Sequence, residues 1–76
     1  MVMKSIRTMH ETLIEMGFIY NVNYLYDNDI PAWCIENFGP KYYYGMADET
    51  KKWATWYLMI YFKNEDDYLL FKLKWL

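Results

Sequence analysis

The sequence predicts a small α+β domain: an antiparallel sheet of about three strands with two or three helices, all within residues 1–76. Three observations predict it. The apolar, aromatic run Trp53–Phe62 passes straight into the polar stretch Lys63-Asn64-Glu65-Asp66-Asp67 and then into a second apolar run, Tyr68–Leu76. Phe18–Tyr26 alternates with the period of a strand. Ser5–Met16 carries apolar residues at helical spacing and is closed by Gly17.

In chain order, Ile6, Met9, Leu13 and Met16 form a helical stripe, widened by Ile14, and Gly17 stands where a C′ glycine stops a helix. The first eight residues also alternate, so a short strand is the competing pattern there. In Phe18–Tyr26, Phe18, Tyr20, Val22, Tyr24 and Tyr26 share one face of a strand and Ile19, Asn21, Asn23 and Leu25 the other. Asp27-Asn28-Asp29 breaks it. A short helix over Ile30–Phe38 follows, with Pro31 near its start and Gly39-Pro40 past its end, and with Trp33 or Ile35 joining Phe38 on its buried side.

Lys41–Met46 is expected as a short strand and Ala47–Lys52 as a hairpin loop. Trp53–Phe62 is then the second arm. Ala54, Trp56, Leu58, Ile60 and Phe62 would form its core face, with Trp53, Thr55, Tyr57, Met59 and Tyr61 opposite. Both faces are apolar, as in a central strand covered on both sides. Asn64 is placed to cap a final helix, with Asp67 at N3 and Glu65 and Asp66 at the positive end of its dipole. Residues 68–75 also alternate at period two; the cap favours helix over strand.

Composition bounds the function. Net charge is −2, which argues against a protein dominated by phosphate contacts. The single cysteine, Cys34, excludes an intrachain disulfide and a Cys-rich metal site. Met1–Met9 carries Lys4 and Arg7, and no apolar run there is long enough for a signal peptide or a membrane span, so a cytoplasmic protein without a membrane partner is expected. The glycines are isolated, so no phosphate cradle is present. His10 reads as a helix-surface histidine and Cys34 as a small buried hydrophobe. Asp27, Asp29, Glu65, Asp66 and Asp67 are explained by their places at helix starts. No catalytic residue, metal ligand or cofactor is therefore expected, and the chain is read as a non-enzyme.

Aromatic residues make up 22% of the chain, more than so small a core should hold. Tyr42, Tyr43, Tyr44, Trp53, Tyr57 and Tyr61 would line one sheet face, either open or covered by the N-terminal helix. If open, Trp53, Tyr57 and Tyr61, with Tyr43 beside them, are the expected anchors for a protein partner or for a second copy in a homodimer. The alternative is a module that stacks single-stranded nucleic acid on the same rings, with Lys41, Lys51 and Lys52 at phosphates. Three lysines are few, and the acidic balance favours a protein. A minor virion or structural component is a further alternative.

Two resemblances bear on this. Met59–Tyr68 resembles the third strand and second helix start of an RNA-recognition-motif or other ferredoxin-like domain, which implies a ferredoxin-like fragment. The stacking motif of that family is missing; Lys52-Trp53-Ala54-Thr55-Trp56 is the nearest segment. Trp33–Gly39, an aromatic strand and Asn64–Trp75 are together similar to small accessory proteins of tailed bacteriophages, marine ones in particular. That similarity implies a factor acting in the infected cell's cytoplasm by binding and modulating, as an inhibitor or adaptor, a host protein. It brings no catalytic residues with it.

Overall fold

A computed structural model of the protein describes residues 9–25, 27, 29–43 and 50–76. Their order is α1 (Met9–Glu15), β1 (Tyr20–Asn23), α2 (Asp29–Phe38), β2 (Trp53–Trp56), β3 (Met59–Phe62) and α3 (Glu65–Trp75). The strands form one antiparallel sheet in the order β1-β3-β2. This is the expected α+β class.

Glycine ends two helices as the sequence requires. Gly17 takes φ 103° after α1. Its N–H donates to Ile14 O at 3.1 Å, and Phe18 N–H donates to Leu13 O at 2.9 Å. That pair of bonds is the Schellman motif, and the fully buried Leu13 and Phe18 supply its apolar contact. Gly39, at φ 87°, closes α2 in the same left-handed region. α2 begins in an Asx turn, with Asp29 N–H donating to the Asp27 carboxylate at 2.8 Å. Pro31 sits in its first turn, where a missing N–H leaves no helix bond unmade. The buried side of α2 is Ile30, Cys34 and Phe38; Trp33 is half-buried and Ile35 is exposed.

The main correction concerns Trp53–Phe62, which is a hairpin and not one strand. β2 turns at Tyr57-Leu58 into β3, with Trp53 opposite Phe62, Ala54 opposite Tyr61 and Trp56 opposite Met59. Tyr57 has φ 56°, a conformation that glycine, asparagine and aspartate favour and that costs a bulky side chain about 1–2 kcal/mol. The turn therefore carries no turn residues to announce it. Folding over at this point also changes the faces. Partners sum to an odd number, so an odd-numbered residue of β2 lies beside an even-numbered one of β3. Trp53 shares its side with Ile60 and Phe62, whereas Ala54 shares the other side with Tyr61.

β3 is the central strand, and Ile60, Tyr61 and Phe62 are all fully buried. One side of the sheet packs on α2 and α3 through Phe38, Phe62 and Phe71. The Phe38–Phe62 ring centroids lie 5.2 Å apart and those of Phe62–Phe71 5.4 Å. The other side packs on α1 through Met9, Leu13, Phe18, Tyr42, Ala54 and Tyr61.

Other boundaries also shift. β1 is shorter than Phe18–Tyr26, and the face expected of it divides: Tyr20, Val22 and Tyr24 pack on the α2–α3 side, whereas Phe18, ahead of the strand in the Schellman turn, is buried on the α1 side; Ile19 and Leu25 are exposed. Residues 41–43 are not strand, but Tyr42 N–H donates to Trp53 O at 2.9 Å along the outer edge of β2. The rest of the Lys41–Met46 strand, most of the Ala47–Lys52 loop and the start of the Ser5–Met16 helix lie outside the described residues.

The segment 68–75 is helical. Asn64 holds the N-cap position in an extended conformation, yet its side chain makes no cap bond. Its amide donates instead to the Asp67 carboxylate at 3.2 Å. The reach-back from N3 therefore meets the capping side chain rather than the backbone.

Candidate protein-binding surface

The four residues expected to form an aromatic binding face do not come together. Trp53 is buried on the α2–α3 side, and its indole N–H donates to Gly39 O at 2.8 Å. Tyr61 is buried on the opposite side beneath α1. Its hydroxyl lies 2.8 Å from His10 Nδ1 and 3.8 Å from Met59 Sδ, and burial raises its pKa. Trp53 and Tyr61 are therefore core residues. Tyr57 is 84% exposed on the hairpin turn, and Tyr43 is 60% exposed with the Lys41 ammonium 4.8 Å from its ring centroid.

This placement also removes the expected stacking platform. Bases need open ring faces on a sheet, and three of the rings expected to line that face, Tyr42, Trp53 and Tyr61, are buried. Lys41, one of the lysines assigned to phosphates, donates to Thr55 Oγ1 at 3.0 Å, and desolvation lowers its pKa.

Sequence reasoning missed a different surface at the turn end of the sheet. An open apolar cleft of about 560 Å³ is lined by Asn23, Tyr24, Leu25, Tyr57, Leu58, Met59 and Leu76. Four of these side chains are well exposed: Leu25 by 85%, Tyr57 by 84%, Leu76 by 63% and Leu58 by 61%. The segment after β1 delivers Leu25, the β2–β3 turn delivers Tyr57 and Leu58, and the C-cap of α3 delivers Leu76. Among the described residues, the only titratable side chains lining the cleft are the phenols of Tyr24 and Tyr57. Strand periodicity puts Leu58 in the core, because an unbroken alternation carries no information about a turn.

The remaining reactive groups are engaged or shielded. Cys34 is fully buried, and desolvation pushes its thiol pKa up to about 12, so it holds its proton at neutral pH. His10 is exposed on α1, as the sequence suggests, but its ring also reaches the Tyr61 hydroxyl. These two residues are separated by 51 positions, and no local pattern links them. Among the described residues no three His, Cys, Asp or Glu side chains gather as metal ligands. Among the same residues no helix is long and apolar enough to cross a membrane.

Comparison of the chain with protein-family models, curated proteins and solved structures gives no match.

Proposed function

We propose that this chain is a non-enzymatic protein-binding domain that holds its partner against the apolar surface around Tyr57 and Leu58. The observation that carries this reading is the convergence of four exposed apolar side chains from three elements on one cleft. Scattered exposed leucines are ordinary, whereas a contiguous apolar patch marks an interaction site. Tyr57 holds a left-handed backbone at the tip of this tight turn, and backbone strain of this kind clusters at binding sites. The cleft suits an aliphatic or aromatic anchor and offers no charged group to hold phosphate. The resemblance in Trp33–Gly39 and Asn64–Trp75 adds a host-cell protein as the class of partner.

The test compares the native chain with the Tyr57→Ala and Leu58→Asp variants as baits in a host lysate, after confirming equal melting temperatures. A protein retained by the native chain and lost by both variants supports the reading. Equal retention by all three, or tight salt-sensitive capture of single-stranded RNA or DNA, contradicts it.

A further inference from the structure

A second recess, of about 240 Å³, opens between α2 and β2. Pro31 and Ile35, four apart on α2, present one helix face to it. Trp53 and Thr55, two apart on β2, present one strand face. Tyr24 adds a third wall, and Lys41 and Tyr43 come from the segment that follows α2.

Lys41 is the one charged side chain among the described residues that line it. A surface lysine normally keeps its ammonium in water. Here the side chain is half-buried, with Nζ 4.8 Å from the Tyr43 ring centroid and 6.0 Å from that of Trp53. The ammonium carries three donors, and one goes to Thr55 Oγ1 at 3.0 Å. That hydroxyl and the two rings are its partners among the described residues. A cation drawn out of water without an anion is unfavourable, and desolvation lowers the Lys41 pKa accordingly. An anion seated beside it would reverse that cost. Thr55 accepts from Lys41 through its oxygen, so its own hydroxyl proton is left to donate.

We propose that this recess binds a small monocarboxylate with a flat apolar body. One carboxylate oxygen accepts from Lys41 Nζ and the other from the Thr55 hydroxyl, while the body lies against Pro31, Ile35 and Tyr24. Charge sets the class: one ammonium and one hydroxyl match a single negative charge, whereas a phosphate dianion calls for more donors than this lining offers. Volume sets the size. An apolar cavity of about 150 Å³ holds benzene, so 240 Å³ takes a ring with a short acid arm. The proposal is independent of the cleft at the turn, with which the recess shares only Tyr24.

Phenylacetate is the probe. Titrated into the isotopically labelled native chain, it should shift the Trp53 indole N–H and the Thr55 amide saturably. The dissociation constant should be about 1 mM, within reach of a ligand of about ten non-hydrogen atoms. Phenylacetamide has the same shape without the charge and should bind about tenfold more weakly or worse, the loss of a charge-assisted hydrogen bond. Lys41→Met keeps the apolar stem, drops the ammonium and should weaken phenylacetate to the same degree. Tyr57→Ala should leave the constant unchanged. An acid that moves neither resonance overturns the proposal, as does an amide that binds as tightly as the acid. Full affinity in a folded Lys41→Met variant overturns it too. The comparison of acid with amide uses the native chain alone, so it decides even if Lys41→Met unfolds.

Discussion

The two sides of the sheet are stabilised differently. Toward α2 and α3 the interior is aromatic: Trp53, Phe62, Phe38 and Phe71 pack in one cluster with Ile60, and Cys34 is a small filler. Toward α1 the interior is smaller and holds a buried phenol, Tyr61, tied to His10 at 2.8 Å. α1 covers β2 and β3 on that side, and β1 shows Asn21 and Asn23 there instead of a hydrophobic face. The aromatic richness of the chain is thus largely committed to packing. Among the described residues the exposed apolar surface is mostly aliphatic, with Tyr57 and Tyr43 as its most exposed rings.

Large-to-small changes should separate the interior from this open surface most sharply. Phe71→Ala removes a fully buried ring and should cost about 3–5 kcal/mol in chemical denaturation. Leu73→Ala, two residues along the same helix and 85% exposed, should stay within about 0.5 kcal/mol. Similar losses from both would erase the distinction between the two sides of α3.

The turn gives the next effect, of opposite sign. Tyr57→Gly relieves the left-handed backbone at φ 56° and should stabilise the fold by up to about 1 kcal/mol while weakening partner capture. Tyr61→Phe removes the hydroxyl beside His10 and should cost about 0.5–1.5 kcal/mol. His10→Ala should lose most of its effect in a Tyr61→Phe background, because the two changes delete one interaction.

Much of the fold is legible in local chemistry. Gly17 and Gly39 stop helices because their positive φ is open to glycine, and β1 alternates because one side meets a core. The acidic start of α3 decides between helix and strand where periodicity alone does not. The hairpin is illegible for an equally local reason: Tyr57-Leu58 interrupts neither the apolar run nor its alternation. Missing that turn moved Trp53 and Tyr61 onto an imagined open face and hid the cleft that Leu25, Leu58 and Leu76 build. The cap shows the same limit on a smaller scale, since the sequence placed Asn64 correctly but not its hydrogen bond. Asn64→Ala should therefore cost only a few tenths of a kcal/mol in thermal melts, below the ~1 kcal/mol of a side chain that bonds the helix backbone.

Everything distinctive here depends on the turn between β2 and β3, and one contact reports it directly. Thr55 and Ile60 are partners that exchange no hydrogen bonds, since the bonded pairs of this hairpin flank them. Their α-protons should give a strong cross-strand nuclear Overhauser effect, as expected for Cα atoms about 4.5 Å apart. In a single strand from Trp53 to Phe62 the same two residues would stand roughly 17 Å apart, at about 3.4 Å per residue. A strong Thr55–Ile60 cross peak places Trp53 and Tyr61 in opposite cores with Tyr57 exposed between them; its absence in the fully assigned protein would contradict that arrangement.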